Sequence, residues 1–319
     1  MRLVFMGTPE SAVPTLRRIL ADGHEVVAVW TQPDRPAGRG NRLHAPPVKQ
    51  FAVGRGLTVH QPEKIKTEEA RALFESHEAD AAVVVAYGRI LPASFLRAPR
   101  RGCVNVHFSL LPKYRGAAPV NWAIVRGESA SGVTTMQIEE TLDTGAIYLQ
   151  RVTEIGDEET APELLARLAE LGADLLGETL ARFDEIEPRA QRDAEATYAP
   201  VLRREDGLID WSSSAAKIER RVRGFQPFPN SFTTFRSQRL VVWRARPFGG
   251  EGDATTDTSR AAAVHAPGEI VAARGDEFVV SCGAGTALRL VEVQAEGKRR
   301  TSARDFVNGM RPRFGERLG

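Results

Sequence analysis

Cysteine is scarce. Cys103 and Cys282 are the only two in 319 residues, far apart and without metal-ligand spacing. A disulfide scaffold is therefore excluded, and a reduced, cytoplasmic protein is the simplest expectation. No apolar run approaches the roughly 18 residues that cross a bilayer, so no membrane partner is expected. Met1 to Met6 is apolar, but Gly7-Thr8-Pro9 interrupts it too soon for a signal peptide. Several fingerprints are also missing. The first strand is followed by a single Gly7 rather than G-x-G-x-x-G, which leaves a nucleotide-dependent oxidoreductase unsupported. There is no P-loop lysine, no H-E-x-x-H and no C-x-x-C, and no metal is expected. Gly127-Glu-Ser129-Ala-Ser131-Gly132 misses the serine-hydrolase elbow by one position.

What is present reads as a globular chain long enough for two domains. Hydrophobic residues make up 42% and charged residues 26%, an ordinary balance for a packed core under a solvated surface. Charge is unevenly spread. Residues 207–319 carry 18 Lys+Arg against 12 Asp+Glu, whereas the rest carries 25 against 29. A basic module behind a slightly acidic one points toward a polyanionic partner; a merely solvated Arg-rich surface is the plainer reading.

Local pattern divides the chain. Arg2–Met6, Glu25–Thr31, Ala81–Ala86 and Cys103–His107 read as buried strands. Helical spacing at Ala12, Val13, Leu16, Ile19 and Leu20 lies between the first two. Continuous apolar strands alternating with helices predict a parallel sheet covered on both faces, an α/β domain over 1–185. Thr160-Ala-Pro-Glu163 is a capping box ahead of a long leucine-rich helix. Polar residues 186–206 read as a linker. Five short strand-like runs follow, in Phe232–Phe235, Leu240–Trp243, Gly268–Ala272, Glu277–Cys282 and Ala287–Val293. They predict a small β-barrel over 207–319 with a mobile loop at Glu251–Ala263. Gln32–Lys49, rich in Pro and Gly and bearing Arg35, Arg39 and Arg42, reads as a functional loop.

The densest chemistry lies in Asn105-Val-His107-Phe-Ser-Leu-Leu-Pro-Lys-Tyr-Arg-Gly-Ala-Ala-Pro119. Asn105 and His107 are two apart near a strand's carboxyl end, so they share a face where α/β sheets place ligands. Asp143, in Leu142-Asp-Thr-Gly145, supplies a carboxylate that can orient a histidine. The plainer readings are a polar pair capping a loop and an aspartate in a turn.

Further blocks give these motifs a context. They are Met6-Gly-Thr-Pro-Glu10, Gln32-Pro-Asp-Arg-Pro-Ala-Gly-Arg-Gly40, Val84-Val-Ala-Tyr-Gly-Arg-Ile-Leu-Pro92, Gly132-Val-Thr-Thr-Met136, Tyr198-Ala-Pro200 and Gly207-Leu-Ile-Asp-Trp211. With the Asn105–Pro119 block, they resemble the methionyl-tRNA formyltransferase family over essentially the whole chain. Ser11 departs from it, standing where the family usually has an aromatic residue. The resemblance implies a Rossmann-like formyltransferase domain, then an OB-like barrel. It implies 10-formyltetrahydrofolate as donor, methionyl initiator tRNA as acceptor, and a monomer. By motif position, Asn105, His107 and Asp143 inherit catalysis. Ser109, Leu110, Leu111 and Pro112, with the wall of Tyr87, Gly88 and Leu91, inherit folate contact. Arg35, Arg39 and Arg42 inherit tRNA contact. Catalytic motifs alone leave two rivals open, an amino-sugar or ribonucleotide amine as acceptor and a non-catalytic RNA-binding protein.

Overall fold

The computed structural model describes residues 1–37, 42–249 and 265–319. Arg39 and the Glu251–Ala263 loop lie outside them. The chain divides into two units. The first comprises Met1–Pro119, Ala130–Glu154 and Leu164–Ala199; the second comprises Val120–Ser129, Ile155–Glu163 and Pro200–Gly319. Much of the segment expected as a linker, 186–199, is thus part of the first unit. Hydrogen bonds put it there: Ile147 and Arg189 exchange backbone bonds of 2.8 Å each.

The strands of the first unit are β1 (Arg2–Gly7), β2 (Glu25–Trp30), β3 (Arg35–Ala37), β4 (Arg42–His44), β5 (Val59–His60), β6 (Ala81–Val85), β7 (Cys103–His107), β8 (Arg115–Gly116), β9 (Ala130–Gln137), β10 (Ile147–Glu154) and β11 (Tyr198–Ala199). Among the described residues, seven of them form one sheet in the order β10-β9-β7-β6-β1-β2-β5. The five from β5 to β7 run parallel. β9 alone reverses, antiparallel to β7, and β10, antiparallel to β9, runs in the direction of the five again. The expected parallel sheet is therefore a mixed one: the four buried runs read from sequence are parallel, and the reversal comes from β9, a strand outside them. Every residue of β6 is buried, as expected for a strand covered on both faces. Strand order reverses between β1 and β6, which opens a crevice at the carboxyl ends of the parallel strands. β3 and β4 pair as a short antiparallel ribbon, and β8 pairs with β11.

Helix ends follow the sequence cues. Helix α1 (Val13–Ala21) stops at Gly23, whose φ of +79° suits a left-handed cap. The amides of Gly23 and His24 reach back to the carbonyls of Leu20 and Ile19, at 3.1 Å each. Helices α2 (Pro47–Val53), α3 (Glu68–Glu75), α4 (Ala93–Arg97) and α5 (Pro119–Arg126) follow. The capping box opens α6 (Ala161–Ala181), with Thr160 N–H donating to Glu163 at 2.9 Å. Gly172 lets this helix approach the sheet; a Cβ there would lie 2.8 Å from Val106. None of the described helices is long and apolar enough to cross a membrane.

The second unit holds α7 (Ala215–Gly224), β12 (Ser231–Phe235), β13 (Gln238–Phe248), β14 (Ile270–Arg274), β15 (Glu277–Ser281), β16 (Ala287–Ala295), β17 (Thr301–Ser302) and α8 (Ala303–Met310). The main path is antiparallel, β12-β13-β16-β15-β14, with β17 on β16. Chain-terminal residues bridge its two edges. Leu318 N–H donates to Gly268 ahead of β14, and Gly319 N–H donates to Thr234 of β12. The sheet is thereby barrel-like, with no long open edge left between β12 and β14 among the described residues. Trp211, Phe278, Leu288, Leu290 and Phe306 are among the residues filling its core.

Candidate active site

The three expected catalytic residues come from two places in the first unit. Asn105 and His107 occupy alternate positions of β7, paired in register with Met136 and Thr134 of β9. Asp143 sits in the turn between β9 and β10, in a left-handed conformation with φ of +53°. The structure brings that turn to His107: Nδ1 lies 3.8 Å from Asp143 Oδ2, longer than a hydrogen bond. Both side chains are nearly buried, at 7% and 12% exposure.

His107 is oriented by its other nitrogen, Nε2, which is 3.0 Å from the carbonyl of Tyr114. A carbonyl oxygen only accepts, so Nε2 carries a proton in either charge state. Nδ1 is then the nitrogen that gains or loses one, and it faces the Asp143 carboxylate. Asp143 is held in turn, its Oδ2 accepting from Gly116 N–H at 2.8 Å. Asn105 differs from its neighbours. It is half-buried, and among the described residues its carboxamide makes no hydrogen bond. A half-buried amide in mid-strand, free of protein partners among the described residues, is available to donate to a ligand.

The expected folate loop is anchored through one hydroxyl. Thr134 Oγ1 donates to the Ser109 carbonyl at 2.6 Å and accepts from Leu111 N–H at 3.1 Å and from Gln150 Nε2 at 3.0 Å. Gln150 also donates to the Leu111 carbonyl at 2.8 Å. Ser109 Oγ closes the loop onto the Lys113 carbonyl at 2.7 Å. Leu111 packs with Met136 and Ile147, while Leu110 and Pro112 are half-buried. Neither Thr134 nor Gln150 was singled out from sequence as a site residue.

Tyr87, Gly88 and Leu91 follow β6, the neighbour of β7. Among the described residues, no hydrogen bond or ion pair joins them to Ser109–Pro112. Side chains of Tyr87 and Leu91 lie in a core cluster with Trp30, Phe74 and Phe95. Burial pushes the Tyr87 phenol up to about 12, and its hydroxyl has no hydrogen-bond partner. What this segment turns outward is Gly88 and Ile90, the latter 66% exposed. The Tyr87 carbonyl is pinned to the crevice by Thr8 Oγ1 at 3.0 Å and Gln32 Nε2 at 3.1 Å.

Arg35 and Arg42 face each other's strand across the β3–β4 ribbon, both exposed, and neither has an ion-pair partner among the described residues. At the ribbon's root, hydrogen bonds from Lys49 and Gln61 hold the Asp34 carboxyl below the usual range. Two free guanidinium groups on a braced ribbon suit phosphates or base edges.

Residues from the expected linker complete the site. Gln191 Nε2 donates to the carbonyls of Asp143 at 2.9 Å and Gly145 at 2.8 Å. Thr197 Oγ1 accepts from Tyr114 N–H at 2.9 Å. These are isolated polar residues with no periodic signal, and only the folded backbone shows their targets.

Comparison with known proteins agrees with this architecture. Residues 1–180 match the formyl transferase family model, and residues 201–311 match the formyl transferase C-terminal domain. The chain is 50% identical over 321 residues to methionyl-tRNA formyltransferase of Solibacter usitatus, covering 100% of this chain and 99% of that protein. Among solved structures, methionyl-tRNA formyltransferase from Clostridium thermocellum shares the fold at a TM-score of 0.56 and 18% identity, over 79% of this chain and 95% of that one. HypX from Aquifex aeolicus, solved with tetrahydrofolic acid, aligns at a TM-score of 0.62 and 18% identity. That match covers 96% of this chain, which spans about half of HypX, 47% of its length.

Proposed function

The chain belongs to the methionyl-tRNA formyltransferase family, and from that premise we propose that it transfers the formyl group of 10-formyltetrahydrofolate to the free amine of methionyl initiator tRNA. The observation that carries the reading is the unpartnered Asn105 amide beside His107 and Asp143 at the carboxyl end of β7. The donor supplies an electrophilic formyl carbon, and negative charge develops on its oxygen when the acceptor amine attacks. Asn105 donates its amide N–H to that oxygen. The amine attacks in its neutral form, and an α-amino group of pKa about 8 is already partly neutral at pH 7. His107 Nδ1 and Asp143 form the proton-handling pair that accepts the proton the amine loses and delivers it, through water, toward the leaving nitrogen. Such help is worth on the order of 10²–10⁴-fold.

The loop Ser109–Pro112 and the outward face near Gly88 and Ile90 are assigned to the folate. Their support is the tight anchoring of the one and the apolar exposure of the other. Arg35, Arg39 and Arg42 are assigned to the tRNA, and the C-terminal barrel, read as OB-like, supplies a second basic surface. The protein acts as a monomer in the cytoplasm, without a metal.

Asn105→Ala tests the mechanism. Loss of one oxyanion donor should lower kcat by about 10²–10³-fold while leaving KM for the folate nearly unchanged. A variant with near-normal kcat would remove Asn105 from the mechanism.

A further inference from the structure

We propose that Gln191, a residue of the segment between the two family regions, is a positioning residue for the transfer, acting through Asp143; the proposal rests on the catalytic reading above. Asp143 must hold its carboxylate toward His107 from a left-handed backbone, a conformation that is uncommon outside glycine although aspartate tolerates it in turns, and that neighbours here hold at both ends. The side-chain end is fixed by Gly116 N–H. The main-chain end is fixed by Gln191, whose NH₂ group donates to the carbonyls of both Asp143 and Gly145. One carboxamide thus brackets the turn across two residues.

Gln191 is itself fixed. Its Oε1 accepts from Arg115 Nε at 3.0 Å and Nη2 at 2.8 Å. The Arg115 guanidinium is only 3% exposed, and its charged partner, Asp193, is 85% exposed. These bonds also settle the amide's orientation, because guanidinium only donates and the two turn carbonyls only accept. Arg115 and Gly116 are adjacent in β8, and β8 pairs with β11 just beyond Gln191. The same short element therefore supplies the donor to the Asp143 carboxylate and the clamp on the residue that holds the Asp143 backbone. Tyr114, which orients His107, completes the stretch.

The discriminating variant is Gln191→Glu. A glutamate keeps an acceptor for Arg115 but cannot donate to either carbonyl. A displacement of the order of 1 Å at a reacting group can cost about 10²-fold, so kcat should fall by about 10- to 100-fold. KM for folate and tRNA should stay within about threefold, because no binding contact is lost. Gln191→Leu is the second variant should the glutamate fail to fold. Asp193→Ala, which touches only the solvent side of Arg115, should be silent.

The test is a double-mutant cycle with Asp143→Ala. If Gln191 acts through Asp143, adding Gln191→Glu to Asp143→Ala should change kcat by less than about twofold. Amide exchange at Gly116, which donates to the Asp143 carboxylate, gives a readout independent of activity and should be faster in Gln191→Glu. Additive losses in the cycle, or unchanged Gly116 exchange, would overturn the positioning role and leave the catalytic reading standing. Normal kcat in Asp143→Ala would overturn the catalytic reading and this proposal with it.

Discussion

Replacing Thr134 by valine probes how the folate loop is built. The hydroxyl has one proton and two acceptor positions, and all three are in use: Ser109 carbonyl, Leu111 N–H and Gln150 Nε2. Valine has nearly the same shape, so the change removes bonds without opening a cavity. Gln150 keeps its bond to the Leu111 carbonyl. The Ser109 carbonyl and Leu111 N–H lose this partner on residues that are 1% and 3% exposed. Each buried group left unpaired costs about 1–3 kcal/mol, and the two together about 3 kcal/mol. For a unit of this size that lowers the melting temperature by roughly 6–12 °C. Thermal unfolding followed by circular dichroism, with urea titration to check an unchanged m-value, measures it. Thr134→Ser keeps the hydroxyl and should recover most of the loss, short of about 1 kcal/mol for the missing methyl. Folate KM should rise in the valine variant and not in the serine one. A valine variant melting within about 1 °C of wild type, or a serine variant equally damaged, would refute the hub.

Other expectations follow from separate parts of the molecule. Arg42→Ala should raise KM for the tRNA about tenfold and leave folate KM alone, as steady-state kinetics with each substrate varied would show. Stability should fall on acidification: desolvation lowers the His60 and His77 pKa values below the unfolded 6.5, and Trp30 Nε1 donates to His77 Nε2 at 3.3 Å. The unfolded chain then binds more protons, so stability is intact well above pH 6.5 and is lost as pH drops through that value. Urea midpoints at pH 5 and 7 should differ less in His77→Phe than in wild type. Burial pushes both thiols, Cys103 and Cys282, up to about 12, so a thiol reagent at pH 8 should label neither until urea is added.

Sequence made the framework legible where burial writes a pattern. The valine-rich runs of β2 and β6 and the leucines of α6 have one stable use each, and Gly23 and Thr160 mark helix ends by local geometry alone. Asn105 and His107 were readable as a pair because a strand fixes which residues share a face. The reversed strand was not readable, since β9 carries two threonines, a serine and a glycine in place of a continuous apolar run, and β10 is only partly buried beyond its first two residues. The segment 186–199 misled for the opposite reason. Gln191 and Thr197 look like linker because they are polar, yet their side chains bond backbone atoms of the site, and Arg189 joins Ile147 through its main chain. Long-range side-chain-to-backbone bonds leave no periodic trace in sequence, and Asp143 alone read as an ordinary turn for the same reason.

The most direct test of the account is a transfer assay with labelled 10-formyltetrahydrofolate. It would compare methionyl initiator tRNA, methionyl elongator tRNA and free methionine as acceptors. Label is expected on the initiator tRNA, little on the elongator and none on free methionine. Label on a small-molecule amine such as an amino-sugar nucleotide, with both tRNAs unlabelled by the folded protein, would contradict it.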